Sequence, residues 1–220
     1  MKLLSATVLS LTLCLGLAAC GNDTESFAEA KLVRSVLTDR VGGATPGAAT
    51  PRLDRATLAN ILTPVQAVTR ESTGQQAIIA NVAVNNGVET WSSVDDVTIS
   101  LRNGVLVATR GFGADLMAAD VPSRAGLLAL GSTHTRAHTM LNGLDQAVRT
   151  LYTCSVTKRE PQAIVVVEIS YQTTHVVETC SGGDLTFENA YWFDRAQNLR
   201  KSRQWVGADV GYLLIEDLRR

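Results

Sequence analysis

Asn103-Gly104 stands between Val97-Thr98-Ile99-Ser100-Leu101, where apolar and polar side chains alternate, and Val105-Leu106-Val107-Ala108-Thr109. Asn-Gly accepts the left-handed backbone of a two-residue hairpin turn, and that turn twists in the sense of the strands it joins. Two antiparallel strands satisfy this stretch better than any helix. The same grammar recurs at Asn85-Asn86-Gly87, between residues 77–84 and Val88-Glu89-Thr90-Trp91, and again at Gly182-Gly183. Further strands are predicted over residues 149–158, 163–179, 184–194 and 199–206, where aromatic and β-branched residues gather. Residues 112–148 are less regular and read as loops with a short helix near 114–118, while residues 211–218 form a last strand or short helix. No fixed-period repeat or heptad is present. The fold class expected is mainly β: an antiparallel sheet curled into a barrel or sandwich, with a short N-terminal helix.

The N-terminus follows another logic. Met1-Lys2 precedes an apolar run from Leu3 to Leu17, interrupted by Ser5, Thr7, Ser10 and Thr12. That run is shorter than the roughly 20 apolar residues of a spanning helix and has the layout of a secretory signal. It ends in Leu17-Ala18-Ala19-Cys20, the form of a bacterial lipobox. The thiol of Cys20 would take a diacylglycerol as a thioether before cleavage frees its amine. A secretory cleavage site that happens to precede a cysteine is the plainer alternative. One acyl chain binds a bilayer weakly, at ~0.8 kcal/mol per buried CH₂, and two or three anchor it for good. Gly21, rather than aspartate, follows the cysteine, which favours the periplasmic face of the outer membrane over retention in the inner membrane.

The expected organisation is a lipoprotein signal peptide over residues 1–19, a lipidated N-terminus with a short helix and a linker over 20–51, and a β-rich domain over 52–220. Phe27, Ala30, Val33, Val36 and Leu37 carry the helical spacing, and residues 41–51 are rich in Gly, Pro and small side chains. A second helical candidate covers 57–62, capped by Asp54 and stopped at Pro64.

Cys14 leaves with the signal, so Cys154 and Cys180 remain, in a compartment that permits disulfides. The expected geometry is a hairpin: a strand ending near Lys158, a turn at Arg159-Glu160-Pro161, and a strand from Ile164 to Val177. A bridge closing it would contribute roughly 3–4 kcal/mol. Two buried thiols or a metal pair are the alternatives, and no other Cys or His is spaced to complete a metal site.

Little else announces chemistry. The formal net charge is −1, and the basic residues are scattered, which excludes a nucleic-acid partner. Sixteen of those basic residues are arginine. Arginine suits bidentate contact with carboxylates, so an acidic polysaccharide is a sensible ligand, although codon bias explains the excess equally well. Arg110-Gly111-Phe112-Gly113-Ala114-Asp115-Leu116 resembles a phosphate turn but lacks its third glycine and any βαβ unit, and reads better as a tight strand-to-helix turn. His134 and His138 would share a helix face as in zinc sites, but the glutamate of H-E-x-x-H is missing, so loop histidines are favoured. His175 reads as a half-buried strand residue and Asp95-Asp96 as a solvated turn. No nucleophile elbow is present. No catalytic, cofactor or metal set is expected.

The C-terminal third is the most distinctive part. Phe187-Glu188-Asn189-Ala190-Tyr191-Trp192-Phe193-Asp194 and Leu199–Gly207 are two strands anchored by Trp192 and Trp205, followed by Gly211-Tyr212-Leu213-Leu214-Ile215-Glu216. With the lipobox and the block from Asn103 to Leu116, this resembles the YjbF/GfcB family of group 4 capsule polysaccharide lipoproteins. The resemblance runs from about Val33 to Leu218. It implies a β-rich lipoprotein of the periplasm that works with the machinery of exopolysaccharide or capsule production or export, and the absence of catalytic grammar favours a non-catalytic accessory role there. The partners it implies are the membrane through the lipid anchor, and polysaccharide export proteins or the polysaccharide itself. A polysaccharide-modifying enzyme is the alternative.

Overall fold

The computed structural model describes residues 54–59, 61–95 and 97–219. The lipobox, the helix expected over residues 21–40, the linker and Asp96 lie outside the described residues.

The hairpin grammar builds one antiparallel sheet. Its strands are β1 (Val65–Arg70), β2 (Gln75–Asn85), β3 (Val88–Ser92), β4 (Thr98–Arg102), β5 (Val105–Arg110), β6 (Leu116–Asp120), β7 (Thr133–Leu141), β8 (Ala147–Val166), β9 (Ile169–Gly182), β10 (Leu185–Asp194), β11 (Leu199–Gly207) and β12 (Gly211–Arg219). Two short helices, α1 (Arg55–Ala59) and α2 (Arg124–Leu128), accompany them. In space the order is β5-β4-β3-β2-β1-β12-β11-β10-β9-β8-β7-β6, a sheet nearly closed into a barrel. Two meanders, β1–β5 and β6–β12, are joined where β1 pairs with β12. At the tightest turns Asn86 (φ 48°) and Asn103 (φ 53°) take the left-handed backbone ahead of Gly87 and Gly104, as paired asparagine and glycine should.

Consecutive strands reverse direction, so the β1–β2, β3–β4, β5–β6 and β11–β12 connections gather at one end of the barrel. The chain enters at the other end. There Leu58 and Ile61 cover Val65, Ala67, Ala80 and Leu218 on the outside of the wall, together with Val166 from the β8–β9 tip. Arg55 fixes this cover by donating to three carbonyls, Val167 O at 2.7 Å, Val166 O at 2.8 Å and Leu218 O at 2.9 Å. On the inside, Val68, Ile79, Trp91, Ile99, Leu101, Leu106, Leu213 and Ile215 belong to one cluster. Val105, Leu127, Val156, Val176, Tyr191 and Phe193 form another.

The two end strands, β5 and β6, carry the unpaired edges that any open sheet must protect. Side chains bridge them. Thr109 Oγ1 accepts from Leu116 N at 2.9 Å, and the Arg110 guanidinium donates to Leu116 O and Met117 O. Deeper in, Gln204 of β11 presents its amide to the backbone of β5, accepting from Leu106 N at 2.8 Å and donating to Gly104 O at 3.0 Å. The free edge of the sheet is thus turned against its own inner wall. Gly104 is required at this approach: a Cβ there would lie 2.6 Å from Leu199 Cδ2.

Several local expectations are corrected. No helix forms at 114–118, because that stretch enters β6 and pairs with β7; the helix of this region is α2, capped by Ser123 Oγ on Gly126 N. The expected strand-to-helix turn before it joins two strands. No turn forms at Arg159-Glu160-Pro161, since β8 runs through to Val166 and reverses at Val167 and Glu168, with φ of 40° and 67°. The reason is position: β7 stops pairing at Ser155, so beyond it β8 has β9 as its ladder partner on one side alone. A proline missing its N–H is tolerated on such an edge. The C-terminal segment is a strand, β12, and not a helix.

Candidate functional site

Alternation along β7 sends His134, Arg136 and His138 to one side, and along β9 it does the same for Val176, Glu178 and Cys180. Both faces point into the barrel. Glu178, fully buried, accepts from Arg136 Nε at 2.8 Å, Asn189 Nδ2 at 2.9 Å, Tyr191 OH at 3.1 Å and His134 Nε2. Arg136 Nη2 donates in turn to Tyr191 OH at 2.7 Å. Burial raises the Glu178 carboxyl, but the charge of Arg136 and the hydrogen bonds from His134, Arg136 and Asn189 overcome it and hold the group at about 2. The acid is therefore ionised at neutral pH, and each of its oxygens accepts two hydrogen bonds. Such an arrangement specifies a packing, and a general acid or base would need a free proton site near neutral pH.

His134 and His138 do not lie in a loop, and their strand spacing separates them by about 13 Å. His138 is 3 % exposed and packs against Tyr152 and Phe187, with ring centroids 5.3 Å and 5.9 Å away. Burial and then the positive charge of Arg136 push its imidazole down to about 4, against the pull of Glu178 and a hydrogen bond with the Val206 backbone. Next to this group, Cys154 and Cys180 form a disulfide between directly opposed residues of β8 and β9. His134, Cys154 and Glu178 offer ligand atoms within 4.8 Å of one another, but Cys154 Sγ is committed to the bridge, and zinc takes a thiolate.

The tryptophans divide differently from their expected role as anchors. Trp91, 1 % exposed, is the buried one, while Trp192 and Trp205 are half-buried. Trp192 stacks on His175 with centroids 4.6 Å apart, and Lys201 Nζ sits 5.9 Å from its ring centre. Both faces of the indole are thereby occupied. Trp205 fills a place where β10 and β11 part: Asn189 Oδ1 accepts from its backbone N at 2.8 Å, and Tyr212 packs against its ring at 5.0 Å.

A cleft of about 610 Å³ opens at the end of the barrel remote from α1. Its floor is apolar, from Val68, Ile79 and Ile99, and its rim holds Arg70, Gln75, Gln76, Asp95, Gly111 and Phe112. The rim comes from three neighbouring connections, β1–β2, β3–β4 and β5–β6. Asp115 shapes the third, accepting from Thr109 Oγ1 at 2.8 Å, Gly111 N at 2.9 Å and Phe112 N at 3.2 Å. Arg70, at the end of β1, donates from Nη2 to Asp209 O at 2.7 Å and from Nε to Val210 O at 3.3 Å and Ser72 Oγ at 3.1 Å. Asp95 is exposed and is the one carboxylate among the described lining residues.

Of the residues considered from sequence, the fold thus brings His134 close to Cys154 and places Asp95 in the cleft, while Asp115 belongs to the seam. Arg136, Glu178, Asn189 and Tyr191 were missed, as was Arg70. The signal for Glu178 was present, since it shares the inward phase of β9 with Val176 and Cys180. A charged residue in that phase needs a buried partner.

No match was found among the curated proteins. The crystal structure of the hypothetical lipoprotein YmcC from Escherichia coli (K12) is similar in fold, with a TM-score of 0.68 at 15 % identity over 91 % of this chain and 97 % of that chain. The model of the group 4 capsule polysaccharide lipoproteins GfcB and YjbF matches residues 32–218, which take in all twelve described strands but for the last residue of β12. On that match the chain belongs to the YjbF family of group 4 capsule polysaccharide lipoproteins.

Proposed function

We propose that this protein is a periplasmic lipoprotein, anchored to the inner leaflet of the outer membrane through acylated Cys20, with a non-catalytic accessory role in capsule or exopolysaccharide production or export. Residues 1–19 are the signal peptide, 20–51 the lipidated tether, and 52–220 the barrel domain. Family membership supports the pathway. The lipobox ending at Cys20, with Gly21 after it, supports the anchor and its membrane. Partners are the membrane, and an export protein or the glycan itself.

The observation that carries the non-catalytic reading is the engagement of the buried ionisable groups with one another. Glu178, Arg136, His134 and Tyr191 are mutually bonded inside the wall, and the cleft presents Asp95 without a second described carboxylate. Glycoside hydrolysis takes two carboxyl groups facing across the sugar.

Deleting the gene should lower secreted polysaccharide, and the wild-type gene should restore it. Cys20→Ser should leave the protein unlabelled by palmitate and absent from membrane fractions. Asp95→Asn should restore output in the deletion strain. Loss of output with Asp95→Asn, in a protein that keeps its melting temperature, its membrane attachment and its saccharide affinity, would instead favour the enzyme reading. Unchanged output in the deletion strain would remove the pathway role.

A further inference from the structure

We infer that the cleft beside Arg70 binds an acidic saccharide, the sugar carboxylate being received by the Arg70 guanidinium. The saccharide part of this inference rests on the pathway reading above; the acidic part rests on the cleft.

Four described arginines, Arg136, Arg149, Arg200 and Arg203, are paired with carboxylates. Arg70, like Arg55 and Arg110, is held by neutral acceptors instead, and of these three it is the one that lines the cleft. Its acceptors are two backbone carbonyls and a hydroxyl, and no carboxylate pairs with it among the described residues. Neutral oxygens orient a guanidinium without cancelling its charge. Nη1 remains without a protein partner among the described residues. An oriented, uncompensated guanidinium at a concave surface is suited to receive a carboxylate.

The rest of the cleft fits a sugar better than a simple anion. Its volume of about 610 Å³ exceeds what a phosphate or acetate needs, and it lies inside the roughly 300–1,000 Å³ range of small-molecule sites. Gln75, opposite Arg70 in the β1–β2 ladder, supplies an amide that can donate to and accept from hydroxyl groups, while the Gln76 amide is engaged by Thr69 Oγ1. Phe112 and the floor offer an apolar surface for the C–H face of a sugar ring. Asp95 can accept hydrogen bonds from hydroxyl groups, while its charge opposes an anionic ligand.

The test titrates the detergent-solubilised full-length protein with a galacturonic-acid hexamer and, separately, with neutral maltohexaose, by calorimetry. Wild type should bind the acidic hexamer more tightly, and the preference should shrink as salt is raised. Arg70→Gln should weaken the acidic hexamer by about 10- to 100-fold, the worth of a charge-assisted hydrogen bond. Asp95→Asn removes a like charge and should tighten it by about 2- to 5-fold. Equal affinity for the two hexamers, or no binding of either, overturns the inference. So does unchanged affinity in an Arg70→Gln protein that keeps its melting temperature. If Arg70→Gln fails to fold, Asp95→Asn decides: tightening supports the site and unchanged affinity refutes it. The pathway role is read separately. Wild-type polysaccharide output from a folded Arg70→Gln strain would overturn the cleft as the working site and leave the lipoprotein's role intact. Unchanged output on gene deletion would end that role and leave hexamer binding standing.

Discussion

Replacing His138 with phenylalanine should flatten the pH dependence of stability between about pH 6.5 and pH 4. The side chain sits inside the barrel, 3 % exposed, facing Arg136 and Glu178 as its charged neighbours. Its imidazole is held at about 4, against 6.5 in the unfolded chain. Between those values the unfolded chain binds a proton that the folded chain refuses, so stability falls as the pH drops through the window. Above the window both forms are neutral and the residue contributes nothing to the slope. The gap, at about 1.36 kcal/mol per unit, amounts to about 3 kcal/mol. For a domain of this size that is a fall of about 6 to 12 °C in melting temperature. Circular-dichroism melts at half-unit pH steps would read it. His138→Phe keeps an aromatic ring between Tyr152 and Phe187 and removes the titration. A residual slope of the same sign remains from His175, which burial also lowers. The Glu178 carboxyl acts further down, its contribution present above 4.5 and lost as the pH falls through about 2. If the wild-type and His138→Phe slopes coincide between pH 6.5 and 4.5, the imidazole is not buried in its neutral form and the argument fails.

Three further outcomes are expected. Glu178→Gln strands the Arg136 charge inside the wall and should cost about 3–5 kcal/mol in urea unfolding; a cost near zero would show that water reaches the cluster. Replacing Cys154 and Cys180 together by alanine should cost roughly 3–4 kcal/mol, and non-reducing peptide mapping of the wild type should recover one cross-linked peptide with no alkylated thiol at either position. Gly104→Ala places a Cβ 2.6 Å from Leu199 Cδ2 at a φ of +82°. It should lower stability by about 1–3 kcal/mol; an unchanged melting temperature would mean that β5 does not rest on β11.

The barrel was legible because its instructions are local. Asn86-Gly87 and Asn103-Gly104 name their turns outright, and alternation along Phe187–Asp194 gives that strand's buried face. Where the reading failed, a distant neighbour decided. Pro161 would end a central strand, and only the early stop of β7 at Ser155 makes its position an edge. Val167-Glu168 carries no turn signature, yet Arg55 holds the carbonyls of Val166 and Val167 from more than a hundred residues away. Cys154 and Cys180 could be paired by counting. Arg136 and Glu178 could not, since their meeting depends on the register of β7, β8 and β9 together. Arg70 looked like any strand-end arginine until the β11–β12 turn supplied its carbonyls.

The β1–β12 junction also dictates the order in which this molecule can be made. Every ladder in the sheet but one joins neighbours in the chain, so each meander can assemble as its residues arrive. The exception is β1 with β12, which brings together the first and last strands described. Val65–Arg70 must wait, one edge bare, until Gly211–Arg219 has been delivered. Pairings of such long range are slow to form and leave edges exposed meanwhile. A chain emerging from its N-terminus therefore completes this barrel only once β12 is available to β1. Removing β12 would cost far more than one strand, because the two meanders would lose the one backbone ladder that joins them among the described residues.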